Sequence, residues 1–307
     1  SRGRRAGTAR PSPTAWPGLA SRRVVRGFYV ASHVEDTPEV RCHVLRRALP
    51  EDVALAGRTS LWAMGVDVLP WGGLLHVVTE RGKHLEPRPG LRPWSALVTD
   101  AELVDLPSGL VAVSAPRAFV DVARREDLVE AVAVGDAVLR SGAATPEQLQ
   151  AAVGRAKRLK GVVGARAVLP HLEPRAESQG ESRLRMRLVL GGLPRPEAQV
   201  DLYDDAGLHL ARVDLLVEGA LLEYDGRVRD IARDARRQNS LVNLGGHVRR
   251  YVSEDVTAYN APVLCADVMR AVRQAPALSS RLHRGPDTLR KPRLQPLRTR
   301  AELSAAA

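Results

Sequence analysis

The chain has 307 residues, a net charge of +11, and 4 % aromatic residues. No run is long and apolar enough to cross a bilayer as a helix, and no apolar signal-peptide core is present, so a cytoplasmic protein is expected. The two cysteines, Cys42 and Cys265, exclude a disulfide framework and stand at no metal-ligand spacing.

Residues 1–30 hold seven Arg and no acid, and their Pro and Gly content predicts a disordered basic arm over 1–21. An α+β region is expected over 22–158. Arg22 to Val30, RRVVRGFYV, is a basic entry with a strand-like end. Thr37-Pro38-Glu39 starts a helix, with Thr as N-cap and Pro at the first helical position, and His43 to Leu49 continues it. Ser60 to Val66 is a further helix candidate, ending near Pro70. Leu74 to Thr79, Ala96 to Thr99 and Leu110 to Ser114 read as strands. Pro116 to Leu139 is largely helical, with Phe119, Val120, Leu128, Val132 and Val138 on its apolar side, and Gly142 ends it. Thr145-Pro146-Glu147-Gln148 is a capping box with Pro at the first position, so a helix follows over 148–159. Residues 159–176 read as a linker.

Glu181 to Leu190 places Leu184 and Leu188 at helical spacing, and Gly191-Gly192 with Pro194 stop it. The most informative stretch is Arg212 to Gly226, RVDLLVEGALLEYDG. Two apolar runs flank Glu218-Gly219, as two buried strands flank a turn. Glu223 and Asp225 share one side of their strand, and Asp214 on the neighbouring strand can join them. Three carboxylates at one point repel unless a cation lies between them, and a hard divalent ion, Mg²⁺ or Mn²⁺, is the usual answer. The bland alternative is that Asp214 ends a strand and Tyr224-Asp225-Gly226 is an ordinary turn. Ile231, Ala235 and Leu241 to Leu244 give a helix over about 230–244 one apolar side, Gly245-Gly246 end it, and VRRYV is a last strand over about 247–252. Residues 276–307 read as a second disordered basic tail, with seven Lys or Arg against Asp287 over 276–300. The remainder of the chain carries a net charge of −2. Basic arms track phosphate backbones without reading sequence. Arg-rich, Lys-poor usage, with four Lys in the chain, also follows from a GC-rich genome.

An Asp followed about ten residues later by Glu-x-Lys outlines the PD-(D/E)xK nuclease core, where carboxylate-held metal activates water against a phosphodiester. Residues 177–256 resemble the restriction-endonuclease-like domain of the very-short-patch-repair endonuclease superfamily, in an uncharacterised actinobacterial branch. The residues that carry the likeness are Glu181-Ser182-Arg183-Leu184-Arg185, Arg212-Val213-Asp214, Glu223-Tyr224-Asp225-Gly226, Asp234 to Leu241, Gly245, and Val248 to Tyr251. The resemblance implies an α/β fold, with a mixed sheet flanked by helices over 177–275. It makes Asp214 and Glu223 metal ligands with Glu181 as an outer carboxylate, and Asp225 a supporting group or the ligand of a second ion. Arg229 and Arg237 would contact the scissile phosphate. The third motif position holds Asp225 rather than Lys. The nearest cation, Arg229, stays protonated, so it stabilises phosphate charge but does not act as a base.

The preceding region resembles that of actinobacterial AbiEi-type antitoxins of abortive-infection systems, through Arg26-Gly27-Phe28-Tyr29-Val30, Ser114-Ala115-Pro116-Arg117 with Val120-Asp121, and Ser141-Gly142 leading to Thr145-Pro146. Members usually begin with a winged helix-turn-helix whose last strand ends in such a Gly-aromatic run; only that closing run is visible here. The expected function is a DNA-directed, Mg²⁺-dependent endonuclease of bacterial defence or DNA repair. The alternative is a non-catalytic DNA-binding antitoxin or transcriptional regulator with a cognate toxin as partner. A scaffold without a DNA role is the plainest reading.

Overall fold

In the computed structural model, the residues described are 20–68, 73–87, 89–157, 159–226, 239, 241–286 and 292–306. They divide into two units: residues 1–65, 69–114 and 298–307, and residues 66–68 and 115–297.

The first unit opens with a hairpin, β1 (Ser21–Val25) and β2 (Phe28–Ala31), turned at Gly27 with φ 85°. Helix α1 (Pro38–Ala48) starts as the sequence predicts, with the Thr37 hydroxyl accepting from Val40 N–H. Then come β3 (Val53–Leu55), α2 (Gly57–Ala63), β4 (Leu75–Glu80), β5 (Leu91–Ala96), β6 (Leu103–Asp105) and β7 (Val111–Val113). The sheet order is β5-β4-β3-β7-β6, with both parallel and antiparallel pairs. Leu45, Leu55, Val77, Leu75 and Ala112 form its core. A strand expected at 96–99 lies instead at Leu91–Ala96, through Pro93.

The second unit carries α3 (Ala115–Ala123), α4 (Leu128–Ser141), α5 (Pro146–Arg155), α6 (Val162–Val168) and α7 (Gln179–Leu190). The single helix expected over 116–139 is two, because Asp127 caps the second by accepting from Val129 and Glu130 N–H. The Thr145 capping box forms as read. The sheet follows as β8 (Glu197–Tyr203), β9 (His209–Val217), β10 (Ala220–Tyr224), β11 (His247–Tyr251) and β12 (His283–Arg284), with α8 (Ala261–Gln274) between the last two. Its order is β11-β10-β9-β8-β12; β10 and β11 are parallel and the other pairs antiparallel. One face packs Leu215, Val217 and Leu222 against Leu184 and Leu188 of α7 and Leu264 and Val268 of α8. The other face carries Val200, Leu202, Val213, Leu216 and Leu221, with Leu241 and Leu244 over them. This is a mixed sheet flanked by helices.

Three expected boundaries move. The break falls after Ser114, not at 158, so α3, α4 and α5 belong with the second sheet. Arg185 of α7 and Asp136 of α4, both wholly buried, form an ion pair at 2.8 Å, and Asp136 also accepts from Glu173 N–H. The expected linker 159–176 contains α6 and a 3-10 turn, Leu169–His171. In the expected disordered tail, β12 pairs with β8, Leu294 N–H donates to Ser141 O, and a helix spans Arg300–Ser304, where Arg300 pairs with Asp105. Residues 1–19 lie outside the described residues. Among the described residues, no helix is long and apolar enough to cross a membrane.

Candidate functional site

The start of α7 positions the first acid. Ser178 is the N-cap and accepts from Glu181 N–H. Gly180, an unfavourable helix residue, is required here: a Cβ would stand 1.9 Å from the Tyr224 ring. The close approach of α7 to β10 sets Glu181 against the sheet, 5 % exposed. Its Oε2 accepts from Glu177 N–H and from Gln199 Nε2, each at 2.8 Å. Part of its role is therefore ordinary capping, reaching back past the N-cap.

Asp214 sits where two strands roll over together. Ala198 and Leu215 pair and face the α7 core, whereas Val200 and Val213 pair and face the other core. Regular alternation would keep residues two apart on one face. The residue between them on β8, Gln199, has φ 55°, a left-handed conformation that is strained for a side chain other than Gly. The kink turns Gln199 and Asp214 toward each other, and Gln199 Nε2 reaches Asp214 Oδ1 at 3.3 Å. Asp214 Oδ2 accepts from Tyr224 N–H at 2.8 Å, so the carboxylate completes the ladder where β9 and β10 diverge. One amide thus bridges Glu181 and Asp214. Burial first, and then the Asp214 charge, pushes the Glu181 carboxyl up to about 7.

Glu223 and Asp225 form a second group. Ala220 and Leu222 face the α7 core and Leu221 the opposite one, so alternation sends Glu223 with Leu221 to the opposite side. Glu223 is 3 % exposed. In the parallel register its neighbour is Arg250 of β11. Arg250 Nη2 lies 3.2 Å from Glu223 Oε2 and Nη1 3.6 Å from Asp225 Oδ2. The backbone N–H of Asp225 donates to Tyr251 O. Arg250 also borders a cavity of ≈ 360 Å³ with Tyr251, Asp255, Asn260 and Asp267.

The acids expected around one cation therefore stand in two groups. Glu181 and Asp214 share an amide donor; Glu223 and Asp225 share a guanidinium. Among the described residues, no group of three or more His, Cys, Asp or Glu is placed to hold a metal ion. Arg229, Arg237, Asp234 and most of the helix expected over 230–244 lie outside the described residues. Sequence reasoning missed Gln199 and Arg250. Nothing in the text of β8 marks the kink. Arg250 had a signal in the VRRYV strand, whose parallel register against LLEYD puts one of the two arginines beside Glu223.

No protein-family model matches the chain. Over 182 residues it is 31 % identical to two uncharacterised proteins, one each from Mycobacterium tuberculosis strains H37Rv and CDC 1551. The matched stretch covers 56 % of this chain and 67 % of each relative.

Proposed function

We propose a DNA-directed function, from the premise that the chain belongs to the family of these two mycobacterial proteins. In this reading residues 177–275 are a restriction-endonuclease-like domain of the PD-(D/E)xK type, preceded by an AbiEi-antitoxin-like region. What supports it is the order of parts: an acid in the first turn of a helix, Glu181, then acids on two adjoining strands, Asp214 and Glu223, then a parallel strand.

The geometry supports best a DNA-binding regulator that keeps this core without cutting, in an antitoxin-like role beside a toxin. The observation that carries this is Arg250. Its guanidinium lies beside both Glu223 and Asp225 and offsets one of their two negative charges. Carboxylate oxygens suit Mg²⁺ or Mn²⁺ chemically, but the four acids stand in two groups, Glu181 and Asp214 on Gln199 and Glu223 and Asp225 beside Arg250, rather than around one point. An endonuclease of defence or repair is the second reading, favoured by Glu181. A carboxyl titrating at about 7 is suited to proton transfer at neutral pH.

The deciding experiment uses the full chain on plasmid and linear duplex DNA, with and without millimolar Mg²⁺ or Mn²⁺. Binding by gel shift with no nicking or linearisation is expected. Metal-dependent cleavage that disappears in Asp214→Asn would establish the enzyme instead, and no binding under any condition would remove the DNA reading altogether.

A further inference from the structure

The acid-free run from Leu149 to Leu172 spans 24 residues and holds Arg155, Lys157, Arg158, Lys160 and Arg166. Its cations are invisible in the overall count, since the chain outside its termini sums to −2. They sit on a built surface. α5 and α6 form a helical hairpin whose inner side, Leu149, Ala152, Val153, Ala156, Ala165 and Val168, is buried. The turn is set by Gly161 at φ 85°, where a Cβ would stand 2.2 Å from Arg124 O. That close seat fixes the hairpin against the end of α3.

From Arg155 to Arg166 every charged residue on the outer side is a cation; the one acid of α5, Glu147, lies in its first turn. Arg155, Lys157, Lys160 and Arg166 are all exposed, and none forms an ion pair with another described residue. Beneath them Arg117, Arg124 and Arg125 converge on the buried Asp121. A merely solvated helix face mixes signs at i,i+4 spacing; past Glu147 in the first turn of α5, the stretch from Arg155 to Arg166 does not. Gly154 has nothing within 4 Å of where a Cβ would stand, and Gly164 is exposed, so a polymer can approach the backbone closely.

We propose that the α5–α6 hairpin is the surface on which the phosphate backbone of duplex DNA lies. The inference rests on the DNA-directed reading above and locates its contact, independently of the acid groups. Fixed cations lose less freedom on binding than those of a flexible arm, and they read charge rather than sequence.

The test compares full-length protein with the quadruple variant Arg155→Gln, Lys157→Gln, Lys160→Gln, Arg166→Gln, with a 20-base-pair duplex as probe and fluorescence anisotropy over a salt series. With the fold verified by circular dichroism, the variant is expected to bind about tenfold or more weakly at 0.1 M salt. Its slope of log K against log salt should be shallower by about 3 to 4, near 0.9 per lost phosphate contact. Unchanged affinity and slope would overturn the hairpin while leaving DNA binding in place; a wild-type protein that binds no duplex would overturn both. If the variant does not fold, acylation of Lys157 and Lys160 in the wild type, read by mass spectrometry, decides. Protection by the duplex supports the surface, and equal labelling with and without DNA rejects it.

Discussion

The two acid groups of the second sheet solve one problem in different ways. Glu223, almost wholly covered, and Asp225 share the Arg250 guanidinium as a counter-ion. Glu181 and Asp214 share neutral donors, Gln199 and backbone N–H groups, and burial with the Asp214 charge favours the protonated form of Glu181, so there a proton offsets part of the negative charge. A counter-ion is fixed by covalent structure, whereas a proton is set by the solution. The first group should therefore respond to mutation and the second to pH.

The largest effect is expected from removing the counter-ion. Arg250→Met removes the charged neighbour of the buried Glu223 and of Asp225, at a cost of about 2 kcal/mol after allowance for the partial exposure of Arg250. A fall in Tm of about 5 °C at pH 7 should follow, and millimolar Mn²⁺ should recover part of it while leaving wild type unmoved. An unchanged melting curve for Arg250→Met would mean that the guanidinium is incidental.

Glu181→Gln probes the other group. The folded protein holds this proton more tightly than the unfolded chain, so stability falls as pH rises from about 4.5 toward about 7 and is level above. The Gln variant should then be more stable than wild type by about 1 kcal/mol at pH 8, with the gain vanishing at pH 4. Chemical denaturation at the two pH values checks it; equal gains at both would show that charge is not the cause.

Smaller still is Asp214→Asn, which keeps an acceptor for Tyr224 N–H and removes the charge beside Glu181. The Glu181 carboxyl should titrate lower by up to about one unit, remaining elevated because burial is the larger cause. Carbon-detected NMR titration reads this directly. Arg284→Ala sets the scale of an ion pair in water. Its pair with Glu197 is about half exposed on both sides, and its loss should stay within about 0.5 kcal/mol by denaturant unfolding.

Much of the frame was legible because it rests on local chemistry. The Thr37 and Thr145 caps, the α7 stop at Gly191 and the paired strands around Glu218-Gly219 all follow from residues that act within a turn or two. Even so, Glu218 takes φ 53° where a glycine is usual, while Gly219 is needed for another reason: Ala277 O leaves no room for a Cβ. What the sequence hid depends on distant partners. The short strands β3 and β6 have three residues each and exist through their neighbours. Residues 159–176 look like a linker because Gly161, Gly164 and Pro170 punctuate them; the packing of Ala165 and Val168 makes them a hairpin. At the site, the positions of Asp214 and Glu223 on adjoining strands could be read, but not their division. That division arises from a left-handed Gln199 and from an arginine that only parallel pairing brings alongside.

The two-residue strand β12 has a consequence out of proportion to its length. It lies along β8, with His283 opposite Tyr203 and Arg284 opposite Leu202, and Gly285 N–H continues to Asp201 O. It covers the amide and carbonyl groups at the Asp201–Tyr203 end of β8, where an unpaired strand edge is a template on which chains add to one another. Arg284 and His283 place basic side chains there as well. Shortening the chain before residue 283 would open that end of the β8 margin.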